Sequence, residues 1–183
     1  MLHSELEGSG KTPHWRIDQR LDWHDEQIRK YDFVAADNFT KSQGSAVMSS
    51  LGTPDEYFTS WLFDASVVEG IGTVLKQPPW AKNVNITIYY AMDSATSGDV
   101  ALICEYQTLE EGDSCLSDSL NTVEVDDTVP GTAQYLAIVD MGRFELSDTV
   151  KGLFKLNIMR RGHVAADTAT GDMHFIGVLL EWF

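Results

Sequence analysis

The sequence predicts an all-β chain: a jelly-roll-like β-sandwich preceded by an N-terminal arm that contains one short amphipathic helix. Three observations carry this expectation. Apolar and polar residues alternate with a period of two in seven or eight short runs between residues 57 and 183. Clusters of Gly, Pro, Asn, Asp and Ser punctuate those runs at turn-like intervals. No helical pattern is interleaved between two strand patterns, which argues against a parallel α/β sheet.

In chain order, residues 1–13 are polar and Gly-rich, as in an extended leader. The run Gly8-Ser9-Gly10-Lys11-Thr12 lacks both the earlier glycine and the preceding strand that a phosphate-binding loop needs. Ile17, Leu21, His24, Ile28 and Tyr31 then recur at spacings of three and four, predicting a helix near 17–31 with one apolar stripe. Ile17, Leu21, Ile28 and Tyr31 are therefore the candidate partner-binding residues. From Asp32 to Glu56 the pattern dissolves into small and polar residues broken by Gly44, Gly52 and Pro54. The expected division is an attachment arm over 1–56 and a sandwich over 57–183.

Within 57–183, strands are expected at Tyr57–Asp64 and Val67–Leu75, with Gly70 and Gly72 marking a bulge or a close approach. Pro78-Pro79 enforces a break. Asn83–Tyr106 supplies two strands, Val84/Ile86/Ile88/Tyr90 and Val100/Leu102/Cys104/Tyr106, which predict a core hairpin closed by the polar run Asp93–Asp99. Shorter strands follow at Asn121–Val125 and Gln134–Val139, then one at Gly152–Arg161. In Met173–Phe183 the pattern places His174, Ile176, Val178, Leu180 and Trp182 on one face, with Phe175, Leu179 and Phe183 opposite. A closed barrel is the competing topology; the sandwich is favoured because it buries two inner faces and leaves few long edges.

Thirteen Lys and Arg against 28 Asp and Glu give a net charge of −15, which repels nucleic-acid phosphates and anionic membrane surfaces. Neither is an expected partner, and no apolar run approaches the ~18 residues of a membrane span. Glu110–Asp127 holds seven acids and no base; it predicts a solvated edge, since its spacing is not that of a calcium-binding loop. Cys104 and Cys115 form no metal or redox motif, and with no signal-peptide pattern at Met1–Gly10 both are expected as reduced thiols. No cofactor is expected.

Candidate chemistry is sparse. His163, Asp167, Asp172 and His174 form the best metal-like group, because a hairpin-like connection could bring its ends together. Their spacing matches no known signature, and a metal-dependent hydrolase is the second alternative function. Trp61, Trp80, Trp182 and Tyr89 could form an aromatic sugar-binding surface, although aromatics at strand positions more often pack in cores. Arg160-Arg161, conspicuous in an acidic chain, is suited to fixed pairs with carboxylates. No catalytic constellation emerges, and the chain is not expected to be an enzyme.

A family resemblance adds to this. The ordered blocks WLFDASVVEG (61–70), Pro79, NITIYYA (85–91), SGDVAL (97–102) with Glu105-Tyr106, TVPGTA (128–133), Arg160, Asp167 and IGVLLE (176–181) resemble a β-sandwich domain of tailed-bacteriophage virion proteins. That resemblance spans about Tyr57 to Phe183. It implies a jelly-roll structural component of a virion, made in the host cytoplasm: a capsid decoration or cement protein, or a head or tail fibre piece. The major capsid protein or another virion protein would be the partner, and a homo-oligomer such as a trimer the assembly. The alternative function is a receptor- or glycan-binding module of a phage fibre or tail.

Overall fold

The computed structural model describes residues 31–53, 56–115, 120–146 and 152–183. In these residues the chain forms β1 (Tyr31–Ala35), a 3-10 turn (Ala36–Asn38), β2 (Thr40–Gln43), β3 (Val47–Thr53), β4 (Glu56–Phe63), β5 (Val68–Lys76) and β6 (Asn83–Met92). There follow β7 (Asp99–Leu109), β8 (Asn121–Thr128), β9 (Leu136–Glu145), β10 (Leu153–Arg161) and β11 (Met173–Trp182). Two antiparallel sheets pack face to face. Sheet A has the order β3-β4-β11-β6-β9, with β1 also paired to β11, and sheet B has the order β2-β5-β10-β7-β8.

The period-two alternation explains the packing. Val84, Ile86, Ile88 and Tyr90 of β6 have no exposed surface and meet Phe154, Leu156 and Ile158 of β10 in one core cluster. Each such side chain removed from water contributes roughly 1.5–3 kcal/mol before conformational entropy is subtracted. Cys104 lies in the same core, where desolvation pushes its thiol well above the ordinary range.

Four expectations change. First, residues 31–53 are part of the sandwich: β1 pairs with β11 from Tyr31↔Glu181 to Ala35↔Gly177, β2 pairs with β5, and β3 pairs with β4. These are edge strands, and β2 is exposed along its whole length; β1 and β3 each bury little beyond Val34 and Leu51, so no alternation marks them and the sequence boundary at Glu56 falls inside sheet A. Second, the helix expected near 17–31 lies outside the described residues except for Tyr31, which opens β1 in extended backbone.

Third, β6 and β7 are not a hairpin. β6 pairs with β11 and β9 in sheet A while β7 pairs with β10 and β8 in sheet B, so residues 93–98 cross between sheets. Each strand presents its apolar face to the shared core from the opposite side, an arrangement that local alternation cannot distinguish from a hairpin. Gly98 makes the crossing possible: its φ is +96°, and a Cβ there would lie 2.9 Å from the backbone of Thr168 and Ala169. Fourth, the register of β11 shifts between Phe175 and Gly177. This bulge returns Phe175 to the core face with Val178, Leu180 and Trp182, against the strict alternation read from sequence.

Candidate functional site

Most residues singled out for chemistry are engaged in holding the fold together. Arg160, on the core face of β10, has no exposed surface, and neither does the side chain of Asp167. Its Nε and Nη2 donate to the two Asp167 oxygens at 2.9 and 2.7 Å, Nη2 also donates to Ala169 O and Nη1 to Gly171 O, both at 2.7 Å. Asp167 additionally accepts the Ala101 N–H at 3.1 Å. The guanidinium thus ties the β10–β11 connection to β7, and both partners spend their hydrogen-bonding capacity internally. Arg161 pairs with Glu124 at 2.8 Å on the surface.

The metal-like group is dispersed. Asp172 accepts the Ala65 N–H at 3.3 Å, His163 is exposed, and His174 is buried beneath Ser60 with Nδ1 and Ser60 Oγ 2.9 Å apart. His174 Nε2 lies 3.7 Å from Asp93 Oδ1. A Ser, a His and an Asp are therefore in sequence, but Ser60 has no exposed surface and cannot reach a substrate. Among the described residues no three His, Cys, Asp or Glu side chains gather as a metal site would require.

The four aromatic candidates also separate. Trp61 and Trp182 are buried and satisfied, their indole N–H groups bonded to Ala36 O at 2.9 Å and Asp32 Oδ2 at 2.7 Å. Tyr89 is half-buried on the outer face of sheet A, with its ring edge-on to Phe33 at 5.6 Å. Trp80 lines a concave surface. Of the candidate partner-binding residues, Tyr31 is exposed at the start of β1, whereas Ile17, Leu21 and Ile28 lie outside the described residues.

That concave surface runs along the open edge of the sandwich. β2 pairs with β5 only over Gly70–Gly72, so the remainder of β5 lies beside β1, the neighbouring edge of sheet A. Three hollows follow this edge. One of about 290 Å³ is lined by Thr40, Ser42, Gly72, Lys155 and Asn157; it shares Asn38 with a second of about 310 Å³ that contains Asp32, Leu75 and Lys76. The second shares Asp32 and Lys76 with a third of about 220 Å³, formed by Gln77, Pro78, Pro79 and Trp80. Shared wall residues set the three in a row along one grooved edge, and from Gly72 to Gln77, just past the end of β5, the chain advances roughly 17 Å.

The groove is built from β5 outward. A Cβ at Gly72 would collide with Asn157 Oδ1, so glycine there lets the Asn157 amide lie across the strand. Asn157 Nδ2 donates to Glu105 at 3.3 Å, which fixes the amide and leaves further capacity on its oxygen. Asp32 is held by the Trp182 indole at 2.7 Å. Gln77, 3% exposed, donates Nε2–H to Ala81 O at 3.1 Å, while its Oε1 has no hydrogen-bond partner. Sequence reasoning flagged Gly70 and Gly72 as a close approach but had no signal for Asn38, Thr40 or Ser42, because β2 shows no pattern.

No family model matches the sequence, and no curated protein matches it. Solved structures share the fold. A family 35 carbohydrate binding module from Clostridium thermocellum superposes with a TM-score of 0.50 at 9% identity, over 81% of this chain and 96% of that one. The CBM22-1–GH10 modules of Clostridium thermocellum endo-1,4-beta-D-xylanase 10B, complexed with xylohexaose, give 0.51 at 11% identity over 82% of this chain. A Podospora anserina GH26-CBM35 beta-(1,4)-mannanase gives 0.51 at 13% identity over 84%. The chain spans about a quarter of the length of these last two, 27% and 28%. At such identities the likeness establishes a shared jelly-roll sandwich.

Proposed function

We propose that this chain is a non-catalytic carbohydrate-binding sandwich that takes a glycan chain in the groove between β1 and β5. The observation that carries the reading is the row of three adjoining hollows, with the Asn157 amide, hydroxyls and Lys155 at one end, Asp32 and Lys76 between, and Trp80 at the other end. Sugar hydroxyls both donate and accept, and they match Asn157, Thr40, Ser42 and Asn38. The apolar face of a sugar ring matches an indole. The fold shared with carbohydrate-binding modules supports the same reading, which was the alternative drawn from sequence. The capsid-decoration reading drew on short strand and turn blocks that jelly rolls supply in general.

A polysaccharide panel tested by affinity electrophoresis and titration calorimetry checks this. At least one glycan should bind, with Trp80→Ala and Asn157→Ala each weakening it about tenfold or more, the magnitude of one good polar or stacking contact. Tyr135→Ala, exposed and away from the groove, should bind as the parent chain does. The proposal fails if no glycan binds, or if a glycan binds and both groove variants retain full affinity.

A further inference from the structure

The charged side chains that line the groove are Lys76, Lys155 and Asp32, a cationic excess in a chain whose net charge is −15. Lys76 and Lys155 both line it. They lie on the outer face of sheet B, where Lys155 is opposite Val74 and Lys76 opposite Leu153. The two lysines are therefore diagonal cross-strand neighbours, with Cα atoms roughly 7–8 Å apart. Neither forms an ion pair among the described residues. The carboxylates nearby each have one oxygen turned to another partner: Asp32 accepts the Trp182 indole N–H and Glu105 the Asn157 amide N–H. Two unpaired ammonium groups thus stand side by side in a chain whose net charge is −15.

Like charges at this separation repel, and the repulsion is relieved when an anion sits between them. A carboxylate or sulfate oxygen pair can be reached by both flexible stems at ordinary charge-assisted distances of ~2.7–2.9 Å. Beyond the groove the field is negative, so a polyanion is repelled as it approaches within the ~8–10 Å over which surface charge acts. The two conditions together select a particular chemistry. Resting on the carbohydrate reading, we infer that the groove recognises a mostly neutral glycan carrying an isolated acidic sugar, whose anion sits between Lys76 and Lys155 while neutral sugars extend toward Trp80.

Titration calorimetry with the full chain tests this using four probes of matched length: a neutral oligosaccharide, the same chain with one uronic acid, the same chain with one sulfate ester, and a polyuronate. One or both singly acidic probes should bind about tenfold or more tightly than the neutral one, and the two acidic arms identify the anion. Lys76→Ala and Lys155→Ala should each bring the ratio of acidic to neutral affinity down to about one, and that ratio is the readout whatever either variant does to neutral binding. Lys155→Arg should retain the preference. The polyuronate should bind more weakly than the singly acidic chain at low salt and gain ground as salt is raised. Equal affinity for neutral and acidic probes, or a polyuronate preferred at low salt, overturns the inference with carbohydrate binding intact. Failure of every probe together with the wider panel instead removes the carbohydrate reading on which it rests.

Discussion

The loop end around Arg160 and the open edge around Lys76 use polar residues in opposite ways. At the loop end, a guanidinium with no exposed surface meets two carboxylate oxygens and the carbonyls of Ala169 and Gly171, and Glu69, 2% exposed, accepts the N–H groups of Ser45 at 2.8 Å and Asp64 at 2.6 Å. Every strong group there is consumed by the fold. Along the edge, Lys76 and Lys155 carry no ion pair among the described residues and Asn157 is only partly satisfied. Capacity to bind a ligand is what internal bonding leaves unspent. The sequence drew attention to the first region because charged residues cluster there, yet the second has chemistry to offer.

The largest effect should come from breaking the loop end. Arg160→Ala leaves Asp167 buried without its partner and should lose about 3–5 kcal/mol in urea unfolding. Arg161→Ala, one residue along, removes an exposed pair whose side chains are 32% and 59% accessible, and should lose no more than about 1 kcal/mol. Similar losses from the two neighbours would show that the contrast between a buried clamp and a surface pair is mistaken.

An intermediate effect is expected at the groove wall. Gly72→Ala drives a methyl group into the Asn157 amide, costing about 1–3 kcal/mol in stability as overpacking does. Glycan affinity should fall in parallel with the loss in Asn157→Ala, because the same amide is displaced. A variant as stable and as tightly binding as the parent would mean that the amide does not lie over Gly72 in solution.

The smallest effect is a dependence on pH. Burial and the hydrogen bond to Asp127 at 2.7 Å push the Tyr90 hydroxyl far above the ordinary tyrosine range, and burial does the same to Cys104. The unfolded chain releases these protons first, from about pH 8.5 for the thiol and about pH 10 for the phenol. Their contribution is therefore complete below those values and declines as pH rises beyond them. Thermal unfolding should show stability falling through this alkaline window. Tyr90→Phe should be somewhat less stable at neutral pH but show a shallower decline. An unchanged slope in Tyr90→Phe would mean that the phenol is not the group responsible.

How much was legible follows from which residues have a buried face. Strands with a buried face, such as β6 and β10, declare themselves because water exclusion imposes an alternation on Ile86, Ile88, Leu156 or Phe154 that can be read one residue at a time. The edge strands β1 to β3 do not, since a strand such as Thr40–Gln43 with both faces wet is under no such constraint. The bulge after Phe175 was equally hidden, because an extra residue in a ladder is defined only by its partner strand.

The sequence by itself determined that this is an antiparallel β protein with a core of alternating apolar strands, breaks at Pro78-Pro79 and a tight approach at Gly70 and Gly72. Hydrophobic burial and backbone sterics act locally, and their marks are local. Only the tertiary structure decided that β6 and β7 lie in opposite sheets, that Arg160 and Asp167 form a buried clamp, and that Lys76, Lys155, Asn157 and Trp80 share one groove. Those outcomes depend on which strands become neighbours, a choice made by the whole core at once.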